Sequence, residues 1–154
     1  TTGGIINFGR PFEKRPRALR LWMKYECGAI DCVDSYPSDE PVKMGDPDRC
    51  QIWAALGDWE YKRYGGTPES PVQVNTTDKS TFFKPEGEAV IAYASYVADA
   101  STDGWVELEI PFDYSTYFRK PTHIIVSFAS SRLGDYFTGS SKSRLWIDDV
   151  RLIY

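Results

Sequence analysis

The sequence predicts an all-β chain folded as an antiparallel β-sandwich, and three observations carry that prediction. Apolar residues recur with period two in seven or eight short segments separated by turns. Aromatic residues make up 15%, with five Trp and ten Tyr, a bias that suits pleated surfaces and leaves some rings over for a surface. Ten Pro and twelve Gly supply many turns, and no stretch has the spacing of an amphipathic helix or of an internal repeat.

Taken in order, residues 1–12 are a glycine-rich lead-in, with Gly9-Arg10-Pro11 and Arg15-Pro16 as turn signals. Residues 18–27 form the first strand: Leu19, Leu21, Met23 and Tyr25 point one way, Arg20, Trp22, Lys24 and Glu26 the other. Residues 28–49 are an acidic 22-residue loop, long enough to be functional or mobile. The second strand, 50–59, sets Ile52, Ala54 and Leu56 against Gln51, Trp53 and Ala55. If these two strands form a hairpin, Trp22 and Trp53 share one sheet face. A Gly-Gly turn region (61–71) and an edge strand with the polar turn Asn75-Thr76-Thr77-Asp78 (71–83) follow. Residues 88–98 are a mostly apolar strand. Residues 105–112 alternate sharply, with Val106, Leu108 and Ile110 inward and Trp105, Glu107 and Glu109 outward; 114–120 is a short turn. The near-continuous apolar run 122–129 is a central strand buried on both sides.

The chain closes on SSRLGDYFTGSSKSRLWIDDVRLIY, residues 130–154, a polar loop leading into a last strand. Leu145, Ile147, Asp149 and Arg151 alternate with Trp146, Asp148, Val150 and Leu152, a pattern that changes face partway. Such a change calls for a bulge, expected at Asp148–Asp149. The strand is expected to dock between two partners, because otherwise Val150, Leu152, Ile153 and Tyr154 are wetted.

A length of 154 residues fits a single domain with a substantial core. The net charge of −4, from 18 basic and 22 acidic residues, argues against a nucleic-acid partner. Residues 31–48 hold six acids against Lys43, and residues 1–20 five basic residues against Glu13; both are read as solvated loops. No apolar window is long enough for a transmembrane segment. Without an initiating Met or a signal peptide, the sequence reads as part of a longer precursor exported by a removed signal peptide. Three cysteines allow three single bridges. Cys27–Cys50 would close the acidic loop across the hairpin base, worth roughly 2–4 kcal/mol, with Cys32–Cys50 as the alternative.

The segments SSRLGDYFTGS and LWIDDVRLIY, with GGIINFGRPFEKRPRALRLWMKYE near the start, resemble the putative carbohydrate metabolism domain family of gut-bacterial surface and periplasmic proteins. DPDRCQIWAALGDW, AVIAYASY and GWVELEIPFDY fit its middle segments, so the resemblance covers nearly the whole chain. It implies a jelly roll of the galactose-binding-like type, an extracytoplasmic location, and early strands or an upstream domain lying outside this chain.

The chain carries no GxSxG, HExxH, P-loop or GxGxxG motif, and its one histidine has no adjacent nucleophile. Sugar binding matches the residues better, because sugars present C–H faces that stack on rings and hydroxyls that want planar polar partners. Trp22 and Trp53 with Arg20, Lys24 and Gln51 supply both kinds of group, unless the tryptophans belong to the core. Arg132, Asp135 and Tyr136 in the last loop are further ligand contacts, unless that loop only covers strand edges, with Gly134 and Gly139 permitting positive φ. Trp59 and Trp105 are candidates for a loop-end site, with a plug at the sandwich end as the alternative for Trp105. The weaker alternatives are a glycosidase using Glu107 and Glu109, about 7 Å apart by strand rise, and a structural Ca2+ on Asp148 and Asp149. Adjacent strand residues point to opposite faces, which favours a capped bulge or pairing with Arg144 and Arg151 over that ion. The sequence thus reads as a non-catalytic carbohydrate-binding module for an oligo- or polysaccharide. A glycoside hydrolase and a structural or adhesive surface module are the alternatives.

Overall fold

The computed structural model describes residues 2–154, and almost all of its regular structure is antiparallel β. Ten strands follow in order: β1 (Ile5–Phe8), β2 (Arg10–Pro11), β3 (Ala18–Glu26), β4 (Cys50–Gly57), β5 (Val72–Asn75), β6 (Val90–Ala98), β7 (Val106–Pro111), β8 (Asp113–Tyr114), β9 (His123–Ala129) and β10 (Arg144–Ile153). The single α-helical turn, α1, spans Tyr61–Tyr64 and stops at Gly65, whose φ of 81° takes the left-handed cap. Among the described residues, no helix is long and apolar enough to cross a membrane.

Two sheets enclose the main core. One has the order β10-β3-β7, the other β2-β9-β4-β6-β8. The alternation read from the sequence fixes what meets between them. Leu19, Leu21, Met23 and Tyr25 of β3 pack with Ile52, Ala54 and Leu56 of β4, Ala92 and Ala94 of β6, and Ile110 of β7. Burying a side chain of Leu or Ile size contributes roughly 1.5–3 kcal/mol, so this seam dominates the stability of the sandwich.

Strands β3 and β4 are not a hairpin. β3 lies between β10 and β7, and β4 between β6 and β9, so consecutive strands belong to opposite sheets. Trp22 and Trp53 therefore sit on the outer faces of different sheets. The expected bridge between Cys27 and Cys50 is also not formed, and all three thiols are free. The Cys27 thiol instead faces backbone carbonyls, donating to Asp48 O at 3.2 Å and Asp99 O at 3.4 Å. The region read as lead-in pairs as well: β1 zips onto β5 as a two-stranded ribbon, and β2 onto β9.

That ribbon, α1 and the segment after β5 make a second cluster on the outer side of the five-stranded sheet. It gathers Ala55, Trp59, Val72, Ala89, Val90 and Ile125. The tight approach of Trp59 explains one glycine, since a Cβ on Gly57 would lie 2.6 Å from the indole. This extra layer is why β4 is buried on both faces, which its Trp-bearing face did not announce.

The last strand is an edge strand paired only with β3, not an inner one. Its register shifts between Asp148 and Arg151, which places the bulge where the change of face requires it. Asp149 takes φ 51°, Asp148 Oδ1 accepts from the Asp149 N–H at 2.8 Å, and Arg151 pairs with Asp149. Leu145, Ile147 and Leu152 pack on the core, while Val150 and Tyr154 stay exposed.

The two long loops are tied together at one end of the sandwich. Asp48 is 4% exposed, and its Oδ2 accepts from Ser131 Oγ (2.6 Å), Ser143 Oγ (2.7 Å) and Ser140 N (3.0 Å). Its Oδ1 accepts from Arg49 N at 2.8 Å. Further along, Cys32 and Gly139 exchange backbone bonds of 3.1 and 3.0 Å, Ser141 N donates to Asp31 at 2.9 Å, and Asp34 N donates to Thr138 at 3.1 Å. The acidic loop is thus fastened at several points, while Asp31, Asp34 and Asp39 remain exposed as expected of a solvated loop. Gly139 is needed for close approach to Ser131, 2.6 Å from a would-be Cβ, and neither it nor Gly134 takes a positive φ; Phe137 does, at 54°. Replacing Asp48 with Ala leaves two hydroxyls and two amides without their acceptor. The expected loss is on the order of 3 kcal/mol, read as a lower urea midpoint with an unchanged slope.

Candidate functional site

The residues singled out from sequence fall into two groups on opposite sides of the molecule. The first lies on the open face of the three-stranded sheet. Across it, Trp146 stands opposite Lys24, Asp148 opposite Trp22, Trp22 opposite Glu107, and Arg20 opposite Glu109. Trp22 is 39% exposed and Trp105 47%, so Trp105 is not a plug. Trp146 carries Lys24 Nζ 5.1 Å from its ring centroid. Glu109 pairs with Arg20 at 3.0 Å and Arg17 at 3.6 Å, and Glu107 is exposed beside it on β7. Both glutamates thus lie on an open sheet face, with Glu109 engaged by two arginines. Among the described residues, no three His, Cys, Asp or Glu side chains gather as a metal site.

The second group converges. Gln51 and Trp53 project from the outer face of β4, with Tyr93 of β6 beside them, and these three form the floor of a cleft of about 230 Å3. Three segments wall it. The acidic loop brings Pro37 and Glu40, the last loop brings Arg132, Leu133, Asp135 and Tyr136, and the segment after β5 brings Phe82, Phe83 and Pro85. Of the eight residues proposed from sequence as ligand contacts, five line this one cleft: Gln51, Trp53, Arg132, Asp135 and Tyr136. The remaining three, Arg20, Trp22 and Lys24, are on the far sheet.

Each wall is held by a nameable contact. Asp48 fixes Ser131, and the Arg132 amide donates to Arg49 O at 2.6 Å, so the backbone entering the loop is pinned. Arg132 and Arg49 grip the two carboxylate oxygens of Glu40, Arg49 at 3.1 Å. Phe83 stacks on Trp53 with centroids 4.3 Å apart and planes 17° apart, which covers one indole face. Phe82 meets Tyr136 edge to face at 5.1 Å and 88°, joining the third wall to the last loop. Lys79 lies over the outer side of Tyr136, 5.3 Å from its centroid. Gln51 donates to Ser95 Oγ at 3.2 Å and to Tyr93 Oη at 3.4 Å, which orients its amide.

The two carboxyls of the cleft are pushed in opposite directions. Burial pushes Glu40 up, but the hydrogen bonds and charges of Arg132 and Arg49 outweigh that and hold it below the usual glutamate range. Asp135 is pushed up by desolvation alone, with no cation beside it to compensate. Its residue surface is exposed, yet the protein crowding its carboxyl withdraws enough water to favour the proton. Separation of this kind marks functional clefts more often than solvated surfaces.

Glu40, Phe82, Phe83 and Tyr93 were missed in the sequence. Glu40 is one acid among six in its loop. Phe82 and Phe83 carried a signal, since on the edge strand expected over 71–83 two consecutive aromatics could not both face the core; the strand itself ends at Asn75, and the two rings follow a 3-10 turn. Trp59 resolves as a core residue at 5% exposure.

The chain belongs to the putative carbohydrate metabolism domain family, whose model matches residues 1–153. No curated protein matches it. Among solved structures it is similar to a putative glycoside hydrolase from Bacteroides thetaiotaomicron VPI-5482, with TM-score 0.69 and 26% identity over 97% of this chain and 41% of that one. It also shares its fold with a putative glycoside hydrolase from Bacteroides vulgatus ATCC 8482, with TM-score 0.66 and 21% identity over 96% of this chain and 55% of that one. The chain thus spans about half the length of the solved chains it matches, or less.

The opposed shifts give a direct check by carboxyl-detected NMR titration. As the pH falls, Asp135 should take up its proton before ordinary aspartates, and Glu40 after ordinary glutamates. Arg132→Ala should raise the Glu40 midpoint and leave that of Asp31 in place.

Proposed function

We propose that this chain is a non-catalytic carbohydrate-binding module, with the cleft between the acidic and last loops as its sugar site. The observation that carries the reading is the convergence of Gln51 and Trp53 with Arg132, Asp135 and Tyr136, residues far apart in sequence, on one hollow. Rings and planar, oriented polar groups together are what a sugar's C–H face and its hydroxyls require. Membership of a carbohydrate-metabolism family and the likeness to a putative glycoside hydrolase of Bacteroides thetaiotaomicron support the same substrate class. The sandwich of three and five strands is consistent with a jelly roll of the galactose-binding-like type. On this reading the chain is one module of an extracytoplasmic glycan-handling protein, joined to an upstream domain.

One observation favours a second reading, glycoside hydrolysis. Glu40 and Asp135 line the same cleft and are shifted apart, the pattern that assigns base and acid in two-carboxylate enzymes. Binding is preferred because both oxygens of Glu40 are engaged by arginines, which fix the carboxylate in place and make it a weaker base.

A glycan array followed by calorimetry separates the two. Binding to at least one polysaccharide class is expected, with about tenfold weaker affinity in Trp53→Ala and Arg132→Ala and no release of reducing ends. Release of reducing ends that stops in Asp135→Asn would establish the hydrolase instead. An array without any bound glycan would remove both.

A further inference from the structure

The cleft does not end at Phe82 and Phe83. The same two rings line a second hollow of about 390 Å3 on their other side, over the outer cluster of the five-stranded sheet. Its polar rim includes Gln73 of β5, Ser80 and Thr81 of the 3-10 turn, Arg63 of α1, and Lys84. The first hollow alone, at about 230 Å3, falls below the roughly 300–1,000 Å3 of sites that enclose a ligand of drug size. It has room for little more than a single sugar ring. The second is larger and continues it across a shared wall.

We propose that the two hollows form one groove and that its ligand is an oligosaccharide, with at least two linked sugar residues straddling the Phe82–Phe83 ridge. The inference rests on the carbohydrate reading above and names the length of the ligand. The ridge suits a crossing point. Both rings are half-buried and held from below and from the side, Phe83 by Trp53 and Phe82 by Tyr136. Their remaining surface is apolar and rigid, so stacking a sugar there costs little ordering entropy. Beyond the ridge, the polar groups suit hydroxyls. The Gln73 amide is oriented by its hydrogen bond to Asn7 at 3.1 Å. Lys84 is exposed and enters no ion pair among the described residues, so its ammonium is available to a hydroxyl. Arg63 is drawn to Glu88 at 3.0 Å and lies 5.6 Å from the Tyr64 centroid, which places its guanidinium along the rim. Such an arrangement gains affinity as a ligand lengthens, because the second residue binds at the cost of the first's lost freedom.

The test is a length series on the intact chain, using cello-, xylo- and manno-oligosaccharides from one to six residues and isothermal titration calorimetry. For whichever series binds, affinity should climb by about tenfold or more from the monosaccharide to the trisaccharide, then level off. The double variant Gln73→Ala/Lys84→Ala, two partly or fully exposed positions, should remove that climb and leave monosaccharide binding as it was. Trp53→Ala should weaken every length. A monosaccharide that binds as tightly as the hexasaccharide, or a double variant that keeps the climb, overturns the groove and leaves the sugar-site reading standing. Failure of all three series alongside an array without hits overturns both.

Discussion

A single buried carboxylate organises the working end of this molecule. Asp48 lies at the foot of β4 with almost no access to water, and among the described residues it enters no ion pair. It is stabilised only by donors: the hydroxyls of Ser131 and Ser143, and the amides of Ser140 and Arg49. A charge in such a place is tolerable when every lone pair is met, and costly when one is not. The last loop therefore has one arrangement compatible with a folded sandwich end. That arrangement places Arg132 one residue beyond the anchor, where it reaches Glu40 and shapes the cleft. Tyr25 adds to the clamp from the core side, its hydroxyl donating to Ser130 O at 2.9 Å. The two loops are in this way tied to each other and to the foot of the sheet.

The outer layer on the five-stranded sheet supplies the other half of the site. Sandwiches commonly leave one face of each sheet to solvent, and here the three-stranded sheet does so. The five-stranded sheet is covered along part of its width by the β1–β5 ribbon and the residues after it. Where that cover stops, the rings of Trp53, Phe83 and Tyr93 form a step, with centroids between 4.3 and 6.1 Å apart. A concave aromatic surface thus arises from incomplete coverage, with no need of a dedicated pocket-forming element.

Period-two alternation told which residues of β3, β4 and β7 meet in the core, because side-chain direction along a strand is a local property. The bulge at Asp148–Asp149 was legible for the same reason, since the pattern itself changes face there. Sheet membership was not local. Nothing in residues 18–57 says that β3 and β4 cross between layers rather than turn back on each other, and so Trp22 and Trp53 were placed together. Part of the site was legible through chemistry alone: Arg132, Asp135 and Tyr136 stood out as a polar cluster in a turn-rich loop. Glu40 was invisible, because its role depends on two arginines, one of them 92 residues away. Asp31, Glu40 and Asp48 looked like the rest of the loop's solvent-facing charge, because their partners lie in residues 130–143.

The displaced register of β10 has a further consequence at the margin of its sheet. An unpaired strand edge is a template onto which a second chain can zip. Here the ladder runs from Arg144 to Asp148, breaks, and resumes only from Arg151 to Ile153. An incoming strand would meet a kinked backbone after five residues, with Arg144, Asp149 and Arg151 spaced along the approach. That edge of the sheet is accordingly a poor template for a second chain, even with exposed rings on the neighbouring face.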